Sequence, residues 1–98
     1  MLIINRNLIN TDAMQMIETY SDSMMLYIRQ QNDLSAPELY ILEDQDSEPA
    51  FRSIMVLTVE QSIPITNLNQ VNFIGTFSFR NDPTIYLVFE ILNEYIDL

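Results

Sequence analysis

The side chains available for chemistry are few in kind. Fourteen carboxylates stand against four basic groups, with no His, Cys or Trp, and all four basic residues are Arg: Arg6, Arg29, Arg52 and Arg80. Lacking His, Cys and Lys, the chain has no imidazole base, no thiol or amine nucleophile, and no imidazole or thiolate metal ligand. The phosphate-gripping lysine of a P-loop is missing too. Carboxylates, hydroxyls and guanidinium groups remain. A carboxylate pair can hydrolyse a glycosidic bond, but that needs a cleft that 98 residues have little room to build. The residues therefore read as those of a non-enzyme with no cofactor and no resident metal. Two acids buried close together in a cleft would reopen the catalytic case.

The densest acidic run is Glu43-Asp44-Gln45-Asp46-Ser47-Glu48. Oxygen-rich loops of this kind can hold calcium or magnesium. The EF-hand pattern, however, needs a glycine at its sixth position and a distant glutamate, and neither is present. A solvated surface loop is the first reading, and a landing surface for a basic partner is the functional one. The four arginines are scattered, as in surface ion pairs that each contribute less than ~1 kcal/mol. Met14, Met16, Met24, Met25 and Met55 suit core filling, although an exposed Met24-Met25 pair would fit a self-association seam. Tyr20, Tyr27, Tyr40, Tyr86 and Tyr95 suit the rim of a small core, or an interface.

Charge bounds the partners. At −10 the chain repels phosphate backbones and anionic lipid and attracts basic protein surfaces. Direct nucleic-acid binding and membrane binding are both disfavoured. No apolar run approaches the ~18 residues of a membrane span. Met1 to Arg6 lacks the basic lead-in and apolar length of a signal peptide. The expected location is the cytoplasm, of a host cell were the protein viral.

Hydrophobic periodicity sets the expected elements. Leu2 to Ile4 suits an edge strand. Asn10-Thr11-Asp12 offers N-cap chemistry, and Met14, Ile17, Met24 and Ile28 then fall at helical spacing, so one helix is expected from 12 to about 31. Ser21-Asp22-Ser23 interrupts that stripe and allows a second parsing: a helix over 12–20, then a strand over 24–29 paired with Glu38 to Glu43. Ser53 to Val59, apolar on both faces, suits a central strand. Val71 to Phe79 alternates, with Val71, Phe73, Phe77 and Phe79 on one face, and its Gly75 marks a bulge or a space for an aromatic ring. Asn81 to Thr84 reads as a turn into a strand over 85–91, or as an N-cap with Pro83 at the first helical position. β-branched and aromatic residues favour the strand. The expectation is an α+β fold over 1–98 as a single acidic domain: a small antiparallel sheet of three to five strands packed by one or two helices. Asn93 to Leu98 keeps apolar residues to its last position, as a segment docking on its own core or on a second subunit would.

Three functions fit. The chain could be an acidic protein-binding module, such as a viral or phage inhibitor that mimics nucleic-acid charge towards a basic protein. It could instead be a structural or assembly protein forming a homo-oligomer, for instance a homodimer. The third is an antitoxin- or immunity-type neutralising protein. Glu43, Asp44, Asp46, Glu48, Glu90, Glu94 and Asp97 are the candidate partner-binding residues. Carboxylates gathered in rows on one face would favour mimicry, whereas an even spread would favour assembly.

Overall fold

The computed structural model describes residues 1–62 and 67–92. Seven strands and one short 3-10 turn account for its regular structure. In chain order they are β1 (Leu2–Leu8), β2 (Met14–Tyr20), β3 (Ser23–Arg29), β4 (Glu38–Asp44), β5 (Pro49–Leu57), the turn Leu68–Gln70, β6 (Val71–Phe77) and β7 (Tyr86–Ile91). They form a three-stranded sheet ordered β1-β4-β3 and a four-stranded sheet ordered β2-β5-β7-β6, and every neighbouring pair is antiparallel. The inner faces share one core, with Leu39 and Ile41 from the first sheet against Ile17, Ile54, Val56, Phe77 and Val88 from the second. A shortest dimension of 16 Å fits two packed layers.

The expected α+β fold is thereby corrected: the described residues form a nearly all-β structure without packing helices. Residues 12–31 hold two strands, not a helix; of the second parsing, the strand over 24–29 paired with β4 is present and the helix over 12–20 is replaced by β2. In β2, Ile17 and Thr19 are buried while Met14 and Met16 are exposed on the opposite face. A strand that is apolar on both faces produces three- and four-residue spacings that imitate a helix. Asn10-Thr11-Asp12 turns the chain instead of capping a helix. The Asp12 N–H donates to Asn10 Oδ1 at 2.8 Å, and the Gln15 amide donates to the Asn10 and Asp12 carbonyls.

Elsewhere the sequence expectations meet the strands more closely. β1 is an edge strand and runs on to Leu8, pairing with β4 along its whole length. β5 is interior to its sheet, and Ser53 to Val56 are buried. Residues 86–91 form a strand led in by a turn at Arg80-Asn81, where Asn81 has φ 65°. The register of β6 slips between Phe73 and Gly75, so Gly75 does sit at a bulge. That slip breaks the expected single apolar face: Phe73 pairs with Phe89 on the outer side, while Phe77 pairs with Tyr86 on the inner side. The space at Gly75 is filled by an aliphatic side chain, not a ring. A Cβ there would lie 3.2 Å from Ile28 Cβ on β3, in the other sheet.

Candidate functional site

The acidic run does not behave as one loop. Glu43 belongs to β4 in phase with Leu39 and Ile41, and it is 2% exposed. Its Oε2 accepts the Thr19 hydroxyl at 2.6 Å, and its Oε1 accepts the Asn5 amide at 3.4 Å. Thr19 Oγ1 lies 2.9 Å from Ser23 Oγ, which donates to the Tyr20 carbonyl at 2.7 Å. Glu90, on β7 in phase with Val88, is 3% exposed. Both Nε (2.5 Å) and Nη2 of Arg52 meet its Oε2, and Arg52 Nη1 donates to the Ser23 carbonyl at 3.2 Å. Burying a carboxylate is expensive unless it is bonded in this way. These two predicted partner-binding residues are therefore interior groups that tie strands together. The parity shared with Leu39-Ile41 and with Val88 was the signal in the sequence.

Asp44, Asp46 and Glu48 do lie at the surface, at a tip formed by the β2–β3 and β4–β5 turns. The Ser21 N–H donates to the Glu48 carbonyl (2.7 Å), the Asp22 N–H to Ser47 Oγ (3.2 Å) and the Asp44 N–H to the Asp22 carbonyl (2.9 Å). Part of this tip's charge is answered internally. The Met1 amine meets Asp46 and, at 3.4 Å, Asp44. The Asp46 backbone N–H, and after it that amine, hold the Asp44 carboxyl below its ordinary range. Hydrogen bonding to Asp46 is the main cause that raises the Met1 amine. Glu94 and Asp97, with the apolar end to which they belong, lie outside the described residues.

The carboxylates do not collect in rows. Asp12 and Asp22 stand at opposite ends of β2, Glu18 projects outward between them, Asp33 pairs with Arg80, and Glu38 pairs with Arg6. Among the described residues no group of three or more acidic side chains is placed to hold a metal ion. A cleft of about 400 Å³ opens between β3 and β6 over the Arg52–Glu90 pair, bordered by Met24, Met25, Phe73 and Ile74. Glu43 does not line it, so the two buried acids do not face each other across a cleft.

Sequence reasoning missed the outer faces. On the three-stranded sheet, register places Ile4, Leu42 and Met24 in one row across the strands and Arg6, Tyr40 and Tyr27 in the next, with Leu8, Glu38 and Arg29 beyond. Tyr27 and Tyr40 stack with centroids 4.8 Å apart, and Arg29 Nη1 donates to the Tyr40 hydroxyl at 3.3 Å, which raises the Arg29 pKa. On the four-stranded sheet the rows are Met14, Met55, Phe89, Phe73 and Met16, Ser53, Ile91, Val71. Leu2, Ile4, Met24, Met14, Met16 and Phe73 are each more than half exposed. Met24 is thus the exposed half of the Met24-Met25 pair, and Met25 packs against the core.

Comparison with protein-family models, curated proteins and solved structures gives no match. Among the described residues no helix is long and apolar enough to cross a membrane.

Proposed function

We propose that this protein is a non-catalytic assembly module that works through the outer faces of its two sheets, with other copies of itself as partners. The observation that carries this reading is the set of exposed apolar side chains on the outer faces: Leu2, Ile4 and Met24 on the three-stranded sheet, and Met14, Met16 and Phe73 on the edge strands of the four-stranded sheet. Tyr, Met and Arg, which make up much of the three-stranded face, are the residue types enriched where proteins meet. The spread of the carboxylates supports assembly over charge mimicry, because a mimic needs ordered rows of exposed acids. Two of the acids that would have formed such rows hold the core together instead.

One observation favours a second reading, contact with a basic protein: Asp22, Asp44, Asp46 and Glu48 share one tip. The two readings respond oppositely to salt. Screening weakens repulsion between copies that each carry −10, and weakens attraction to a basic partner. Sedimentation equilibrium of the full chain over a range of concentration and salt tests the choice. Assembly requires masses above the 11.5 kDa monomer that rise with salt. A monomer at every concentration, together with salt-sensitive capture of a basic nucleic-acid enzyme from lysate, would support the second reading instead.

A further inference from the structure

The edges of the two sheets are β1 and β3 on one and β2 and β6 on the other. Natural proteins blunt such edges with bulges, charges or covering groups, because an open row of N–H and C=O groups recruits another strand. β3 and β6 each carry a register shift, and they approach one another at Ile28 and Gly75. β2 carries the outward Glu18, and the Tyr20 N–H at its end donates to Ser23 Oγ at 3.4 Å. β1 has none of these devices. It pairs with β4 without a register shift and contains no proline, lysine or carboxylate, with Arg6 as its one charged residue. The bonds beyond its two ends fix which groups are open. The Gln45 N–H donates to the Met1 carbonyl at 3.0 Å and the Ile9 N–H to the Pro37 carbonyl at 3.1 Å, so the odd-numbered residues of β1 bond to β4. Leu2, Ile4, Arg6 and Leu8 therefore turn their backbone groups to the free edge, where no strand pairs with them among the described residues. There the Arg6 N–H donates to Asn5 Oδ1 at 3.0 Å, an exposed bond that an incoming carbonyl can replace.

We propose that β1 adds edge to edge to β1 of a second copy, antiparallel about a two-fold axis at Asn5. The inference goes beyond the assembly reading, which concerns the outer faces, and names a backbone contact between copies. The residues of β1 choose both occupant and register. Only an axis through a residue sets edge-facing groups opposite one another. An axis at Asn5 engages the whole strand, so that Leu2 meets Leu8 of the second copy and Ile4 meets its Arg6. An axis at Ile4 shortens the contact, and one at Arg6 sets the two arginines against each other, which is unfavourable. Direction follows from charge. Antiparallel pairing places the acidic tips, with Asp44 and Asp46 beside Met1, at opposite ends of the contact. Parallel pairing would set them side by side, and juxtaposed like charges are costly. The contact joins two three-stranded sheets into one and closes after two copies.

The chain has no cysteine, so introduced thiols report the register. Asn5→Cys puts a thiol from each copy on the axis, in a pair of the non-hydrogen-bonded kind whose Cα atoms lie about 4.5 Å apart, within disulfide reach. Mild air oxidation should link this variant into a dimer. Ile3→Cys and Asn7→Cys should link only when mixed, because residue 3 faces residue 7 across the axis. That mixture carries the test if circular dichroism shows that Asn5→Cys does not fold. Within the Asn5→Cys chain, Ile4→Lys sets a like charge opposite Arg6 and Ile4→Pro removes an edge-facing N–H. Each should slow linking by at least about tenfold, whereas Ile4→Glu, opposite the same arginine, should not slow it. Ile4 is 61% exposed, so the fold accepts either charge. Failure of both Asn5→Cys and the mixture to link, or equal slowing by Ile4→Lys and Ile4→Glu, overturns the edge contact. Assembly through the outer faces is then judged by sedimentation alone. Linking at Asn5 in a chain that never exceeds a dimer in sedimentation supports the edge contact and overturns the outer-face reading.

Discussion

Rows of Ile4, Leu42, Met24 and of Arg6, Tyr40, Tyr27 cross the outside of the three-stranded sheet, where Leu42 and Tyr40 on the central strand are only half-buried. Outside the four-stranded sheet the interior strands carry Met55 and Ile91, each 2% exposed, and the open side chains Met14, Met16 and Phe73 lie on the edge strands. The inner faces contrast as well. Each holds one buried glutamate, Glu43 among neutral hydroxyl and amide donors and Glu90 against a guanidinium. One sheet thus displays its cations and buries an acid among neutral groups, whereas the strands of the other carry a single cation and turn it inward. In a chain with four cations, the placement of each one sets the character of a face.

The inward pair gives the largest expected effect. Arg52→Met leaves the Glu90 carboxylate buried without its guanidinium and should destabilise the fold by about 3–5 kcal/mol in urea unfolding, with Arg52→Met/Glu90→Leu recovering most of the loss. A single-variant loss below ~1 kcal/mol would mean that this sheet does not depend on its cation. The other glutamate should respond less. Thr19→Val removes the hydroxyl that bonds Glu43 and should lower stability by about 1–3 kcal/mol. An equal or greater loss than that of Arg52→Met would erase the contrast between the inner faces. Gly75→Ala probes the line along which the two sheets meet. Its Cβ would press on Ile28 at 3.2 Å, which should cost about 1 kcal/mol as β3 gives way. A stabilised variant would show that β3 already has room.

The smallest effect lies at the tips. Asp44 and Asp82 both have carboxyls held below their ordinary value of 3.8, each chiefly by a backbone N–H, from Asp46 and Thr84 respectively. A depressed folded-state value contributes stability that is fully present above the unfolded value and is lost as pH falls through the folded one. Asp44→Asn and Asp82→Asn should therefore each lower stability slightly at neutral pH, flatten the acid limb of a stability–pH profile and converge with the unsubstituted chain at low pH. A steeper acid limb in either variant would contradict the sign.

Much of the strand content was legible, because β4, β5 and β7 are dense in Leu, Ile, Val, Tyr and Phe. β2 was not. Met14, Met16, Ile17 and Thr19 supply apolar groups to both faces, and the helical spacing they produce is a by-product of two-sided exposure. The candidate site was legible in type but not in place. A dense acidic run in a sequence looks solvated, yet pairing of β3 and β1 with β4 carries Glu43 inward while Asp44 stays at the tip. The outer faces escaped notice because their rows join residues far apart in the chain, such as Ile4, Met24 and Leu42.

Methionine methyl groups report directly on the claim that these faces are contact surfaces. Met14 and Met16 lie on one outer face, Met24 on the other, Met25 against the core, and Met55 is buried. In a protein labelled at its methionine methyls, NMR shifts would be followed from dilute to concentrated solution. The account requires Met14, Met16 and Met24 to shift together while Met25 holds still. Methyl spectra that do not change with concentration, or shifts confined to Met1 at the acidic tip, would contradict it.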